Sequence, residues 1–171
     1  MIRRFLSCLL VAAFVAGASA QSAAPPTALM YYAGQAGRLT QDRDRLGGNP
    51  FASAVVEVLG KEPWTLREFT DRLAEANARH SGGWQQLQFP KVLPKWKMGQ
   101  PAGKRVALVL INSDYSKSPG VYSLPGAAFD AKRIPEALRA AGFETTLVFD
   151  ANADAARKAM ADFTVASEGA E

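Results

Sequence analysis

The stretch RVALVLINSDY, residues 105–115, decides the fold. Val106–Ile111 is an unbroken apolar run of strand length. Such a run suits a strand buried on both faces of a parallel sheet, where no alternation with polar residues is needed. Asn112–Ser123 is polar and holds Pro119 and Gly120, so a loop is expected at the strand's carboxyl end. Ala127–Ala141 then carries Ala131, Ile134 and Leu138 at helical spacing, and Gly142 supplies a stop. Pro135 sits inside that segment. It lacks an N–H and clashes with the preceding turn, which predicts a bend or a helix starting at Ile134–Pro135. Phe143–Phe149 (FETTLVF) reads as a second strand. Asn152 or Asp154 then caps a last helix with Ala156, Met160 and Phe163 inward. Strand–helix–strand–helix predicts an α/β sheet with a right-handed crossover. The expected core joins Val106, Leu108 and Leu110 to Leu147 and Phe149, with Ile134 and Leu138 from the crossover helix.

Working back toward the start, Gln88–Ala102 has three prolines and alternating lysines, the pattern of a linker or surface crossing. Lys91, Lys95, Lys97, Lys104 and Arg105 cluster near Trp96. Basic residues around an aromatic can bind nucleic acid, but a solvated, proline-punctuated crossing explains them better. Thr65-Leu66-Arg67-Glu68 is a capping box. The helix after it buries Leu66, Phe69, Leu73 and Ala76 and ends before Gly82-Gly83. His80 closes it, where an imidazole interacts favourably with the helix dipole. No second His accompanies it, so neither a metal site nor a catalytic role is expected. Asn49 caps another helix with Pro50 at its first position, and Phe51, Ala54, Val55, Val58 and Leu59 form its buried stripe. Gly34–Gly48 reads as a loop, Ala28–Tyr32 as a short buried strand, and Gln21–Pro26 as a small, proline-rich leader.

Met1–Ala20 has Arg3 and Arg4, an apolar run from Phe5 to Val15, and Ala18-Ser19-Ala20 at its end. That is the layout of a secretory signal peptide, with too short an apolar run to span a bilayer. The expected product is exported, periplasmic or secreted, starts at Gln21, and has no membrane attachment after cleavage. Cys8, the one cysteine, lies within the signal and is read as an ordinary apolar residue of it. The mature chain therefore forms no disulfide and depends on packing. Losing Arg3 and Arg4 lowers the net charge from +4 to +2, because residues 1–20 hold no acid. Part of the apparent basicity thus belongs to the signal.

Three short motifs occur in order: RVALVLINSDY, then LPGAAFDA from Leu124, then ALRAAGFETTLVFD ending at Asp150. They resemble the first strand, first helix and second strand of bacterial caspase-like and metacaspase proteins, the C14 cysteine peptidases. The spacing Leu124-x-Gly126-x-x-x-Asp130-Ala131 is similar to the start of that family's first helix. Ile111, where bacterial members often have Gly, and Pro135 depart from it. The resemblance implies a caspase-like three-layer α/β sandwich, with an incomplete, mostly parallel sheet and flanking helices. It also implies a later strand ending in His-Gly and another ending in the nucleophilic Cys, which would follow Glu171. A thiolate nucleophile needs an imidazole beside it to hold the charge and to protonate the leaving amine. Upstream, Ala28–Gln41, Asn49–Leu59, Thr65–Ala76 and Gly82–Gln86 resemble the part of the family that follows the Cys. A rival alignment puts Tyr31–Gln35 on the family's Y-x-G-H-G strand, with Gln35 in place of His; the first alignment matches more of the downstream sequence. The expected division is a signal at 1–20, a post-cysteine-like segment at 21–98 and a first-half segment at 99–171. The chain would then be the back of one caspase-like domain followed by the front of another. The Ala28 strand would pair with the Val106 strand, or the sheet edge would stay open.

Three functional readings follow. The first is a caspase-like family member that is catalytically incomplete, with no catalytic residue, cofactor or metal of its own. The second is a binding or scaffolding module for a peptide or protein, with pairing through an open sheet edge and no nucleic acid as partner. The third is a hydrolase of other chemistry. For that, Asn112, Ser113, Asp114, Tyr115 and Asp130 are the candidate residues, at a strand's carboxyl end where α/β sheets place their sites. Asp130 also suits a helix start, where the dipole favours an acid. Mass spectrometry of the exported fraction is expected to show a chain beginning at Gln21. A product that keeps Arg3 and Arg4 would contradict the signal reading.

Overall fold

The computed structural model describes residues 29–61, 63–98 and 103–170. The expected signal peptide, the leader and Ala28 lie outside the described residues. Among the described residues, four helices and two short sheets appear in the order α1 (Pro50–Val58), β1 (Trp64–Thr65), α2 (Leu66–Ser81), β2 (Lys97–Met98), β3 (Val106–Ile111), α3 (Pro125–Ala140), β4 (Glu144–Phe149) and α4 (Ala153–Ala166). β3 and β4 run parallel, with Val106 opposite Glu144 and Ile111 opposite Phe149. The fold is α/β, as the apolar run at 106–111 implied.

The helix starts follow the sequence closely. The Asn49 side chain accepts from the Phe51 amide, and Pro50 takes the first helical position of α1. The capping box of α2 is complete: Thr65 and Glu68 satisfy each other's backbone amides. α2 ends on Gly82 in the left-handed conformation. The Asn152 side chain accepts from Ala155 at the start of α4.

α1 is nine residues long and buried on nearly every side. One side meets α2: Phe51, Ala54 and Val58 pack with Leu66, Phe69, Leu73 and Ala76. The other meets the parallel sheet layer: Ala52 and Leu59 pack with Val109, Ile111, Ala127, Ala131, Ile134 and Leu138. The short helix is thus a common wall between two apolar cores. α3 covers one face of β3. α4 packs against β3 and makes at most marginal contact with α3, as expected for helices on opposite faces of the strand.

Several expectations are corrected. The buried face of β3 is Val109 and Ile111, at 1% and 3% exposure, while Leu108 and Leu110 are only partly buried on the face toward α4. A continuous apolar run does not say which alternate set faces the larger helix, so the parity was open. Leu147 and Phe149 are 37% and 45% exposed, because β4 has no outer neighbour among the described residues. α4 turns Ala156, Ala159 and Phe163 inward, spaced by three and four, and leaves Met160 outside. α3 begins at Pro125 and runs unbroken through Pro135, with no restart at Ile134–Pro135. Pro135 is fully buried, so the packing of its ring offsets the missing amide. Residues 29–31 form no strand. Only Tyr32 pairs, as a single antiparallel bridge to Gln88, and it does not reach β3. The 88–98 stretch is more than a linker: Leu93, Trp96 and Met98 lie against the α1–α2 core, and β2 pairs with β1.

Ile111→Ala is expected to cost about 2–5 kcal/mol, and Leu147→Ala at most about 1 kcal/mol. Urea unfolding of the two variants checks the order. Equal midpoints would contradict the assignment of the buried face.

Candidate functional site

The five sequence-predicted residues divide between two places. Asn112, Ser113, Asp114 and Tyr115 leave the carboxyl end of β3 and are organised by Asp150, the residue after β4. The Asp150 carboxylate accepts from the Ser113 amide (2.5 Å), the Ser113 hydroxyl (3.0 Å) and the Asp114 amide (3.0 Å). The Asn112 side-chain amide donates to the Ala151 carbonyl. Asp114 in turn accepts from the Ser116 amide, and the Ser123 hydroxyl receives the Tyr115 amide. Asp150 has φ of 48°, in the left-handed region that costs a side-chain residue energy. Three donors on one carboxylate hold it there. Burial pushes the Asp150 carboxyl up, but the Asp114 and Ser113 amides and the Ser113 hydroxyl outweigh it and hold it below its usual value. Asp114 is also held low, first by the Ser116 side chain and then by its amide.

Asp130 lies elsewhere. Its carboxylate accepts from the Asn49 amide at 3.0 Å and from Arg133 Nε at 2.8 Å. Arg133 Nη2 reaches the Ser53 hydroxyl at 2.7 Å. Burial pushes the Asp130 carboxyl up, and the Asn49 amide and Arg133 offset this only in part. So Ser113 is taken up by Asp150 and Asp130 by the amino end of α1. The two are engaged in separate networks, and the His80 imidazole contacts neither of them, its partners being Asp44 and Glu57. A serine hydroxyl that only donates to a carboxylate lacks the general base that activates it.

The amino end of α3 is completed by the other half of the chain. Leu124 offers no side-chain cap, and the Gly126 amide donates to the Asp42 carboxylate at 3.0 Å. A Cβ on Gly126 would collide with the Asp42 carbonyl, and one on Gly48 with Asp130 and Arg133. The glycine in the Leu124-x-Gly126 spacing therefore serves close approach of the 42–48 loop. His80 is engaged on both ring nitrogens: Nδ1 lies 3.2 Å from Asp44 and Nε2 lies 2.9 Å from Glu57. Among the described residues, no group of three or more His, Cys, Asp and Glu is arranged to hold a metal ion.

The family model of the caspase domain, peptidase C14, matches residues 104–171. Through this segment, which is less than half of the chain, it is similar to a caspase domain. No curated protein and no solved structure matches it significantly. The caspase-like segment contains β3, α3, β4 and α4, and neither Cys nor His occurs in it. Asp150, Asp42 and Arg133 had no place in the sequence reading. Asp150 closes the LVFD motif, so its position was visible but its three donors were not. Asp42 and Arg133 act across 80 residues of chain or more, which local spacing does not reveal.

Two outcomes test these networks. Asp130→Ala leaves Arg133 buried without its carboxylate and is expected to cost about 3–5 kcal/mol. The double variant Asp130→Leu/Arg133→Met should lose less, and urea midpoints compare them. Asp150 is a depressed carboxylate, so its stabilisation is present above the unfolded value near pH ~3.9 and is lost as pH falls through the folded one. The stability gap between the native chain and Asp150→Asn is expected to shrink on acidification in that range. A gap independent of pH would contradict it.

Proposed function

We propose that this chain is an exported, non-cleaving member of the caspase-like family. One observation carries the reading. The chain holds one Cys, Cys8, and one His, His80, and that imidazole lies between two carboxylates of the N-terminal segment. No thiol stands within the described residues for it to activate. Losing either member of such a pair ordinarily costs orders of magnitude in rate. The loop at the carboxyl end of β3, ordered by Asp150, is then a surface for holding a peptide rather than cutting it. The basic, apolar and small-residue regions of Met1–Ala20 support export with cleavage after Ala20.

A second reading, peptide binding by strand addition, is favoured by one feature. The β3–β4 sheet has only two strands among the described residues, so backbone groups on both outer edges are unpaired within it. The third reading, a hydrolase built on Ser113 and Asp130, has no support in the two separate networks these residues join.

The assay offers purified Gln21–Glu171 a panel of fluorogenic peptides with Arg, Lys or Asp before the cut, with and without calcium, beside a thiol-reactive probe. No turnover and no labelling are expected. Turnover that survives His80→Ala would shift the chemistry to the Ser113 region. Turnover abolished by His80→Ala would overturn the structural role of that residue.

A further inference from the structure

The loop from Asp42 to Leu46 reads Asp-Arg-Asp-Arg-Leu, and its fold sorts the charges by sign. The acids turn inward. Asp42 accepts from the Gly126 amide, and Asp44, whose side chain is fully buried, meets Ser53 and His80. The bases turn outward. Arg43 is 59% exposed and lies 3.6 Å from Asp42, an acid already taken by Gly126. Arg45 is exposed, and its side chain has no ion pair or hydrogen bond among the described residues. Leu46 follows, 58% exposed. The loop lies across the first turns of α3, with the Arg43 stem beside Gly126 and Gly47 against the Phe129 ring. Phe129 is 48% exposed. Lys132, its neighbour one turn along the helix, is exposed and has no ion pair among the described residues. Asp130 is engaged by Asn49 and Arg133, and the first exposed acid further along α3 is Glu136, another turn away.

Two exposed apolar side chains thus stand among three outward cations, on a surface built jointly by the two halves of the chain. Apolar surface rimmed by charge marks an interaction site, and the sign of the rim selects the partner. Arginine forks take carboxylates in two parallel hydrogen bonds. The loop is also held in place beforehand. The Asp44 amide donates to the Gly48 carbonyl at 2.7 Å and the Leu46 amide to the Asp44 carboxylate at 2.8 Å, so little freedom remains to be lost on binding. Lipid surfaces are ordinarily held by about 4–8 basic residues, more than stand here. Nucleic-acid bases stack on open aromatic faces, whereas Phe129 is flanked by Gly47 and by Arg133, 5.1 Å from the ring centroid. We propose that this surface docks an acidic segment of another protein, with an apolar side chain of that segment on Leu46 and Phe129 and its flanking carboxylates on Arg43, Arg45 and Lys132. Such docking does not depend on whether the chain cleaves peptides.

The test titrates purified chain into short fluorescein-labelled peptides, each with Asp or Glu on both sides of a single Leu or Phe, and reads fluorescence anisotropy. Matched peptides with Asn and Gln in place of the acids, anionic phospholipid vesicles and single-stranded DNA are run beside them. The acidic peptides are expected to bind, more weakly as salt rises, and the amide peptides are not. Arg45→Glu/Lys132→Glu is expected to weaken binding about tenfold or more, with an unchanged urea midpoint. Lys91→Glu/Arg139→Glu carries the same net charge and is expected to bind as the native chain does. Should the first double variant fail to fold, Arg45→Gln alone is expected to weaken binding in the same direction. No binding of any acidic peptide, equal losses in the two double variants, an Arg45→Gln chain that binds as the native one does, or preference for the vesicles or the DNA would overturn the proposal.

Discussion

The guanidinium of Arg133 is the interaction on which the arrangement of the two halves depends. It lies 2.7 Å from Asp130 on its own helix and 2.7 Å from Ser53 on α1. Its planar fork serves both partners at once, which a lysine ammonium would do less well. The Asn49 amide completes the set by donating to the other oxygen of Asp130. Removing a charge pair from water is costly, and the cost is offset only where the remaining donors and acceptors are met. Here they are met by the amino end of α1. The same contacts that satisfy the pair therefore fix where α1 sits on α3.

That placement explains how a short helix can organise the molecule. α1 is too short to be stable alone. It is held because its two sides are buried in two different cores, one from each half. The polar face at Asn49 and Ser53 adds register to packing that apolar contact alone would leave free to slide. Asp42 adds a further fix by completing the exposed amino end of α3. The 104–171 segment thus receives a cap, hydrogen-bond partners for its Asp130–Arg133 pair and part of its core from residues that precede it.

Much of the fold was legible in the sequence because local rules governed it. The caps at Asn49 and Thr65, the stop at Gly82, and strands β3 and β4 are set by residues within a turn of where they act. What was not legible depended on contacts between distant parts. Val109 replaced Leu108 in the core because an all-apolar strand carries no parity signal. Leu147 and Phe149 are exposed because the sheet has no third strand beside β4 among the described residues. Pro135 is tolerated because its surroundings, not its neighbours in sequence, bury it. At the candidate site, the loop from Asn112 to Tyr115 was found from its position after a strand. Its separation from Asp130 was not, because Asp130 answers to Asn49 and Arg133.

The central claim is that the segments before and after residue 99 are held as one cooperative unit by the Arg133 contacts and the shared helix α1. Native-state hydrogen exchange measures this directly, since amides that open together share one opening free energy. The account predicts a common value for the slowest amides of α1, β3 and α3. A value for α1 and α2 well below that of β3 and α3 would contradict it, and would make the two segments independent units that merely touch.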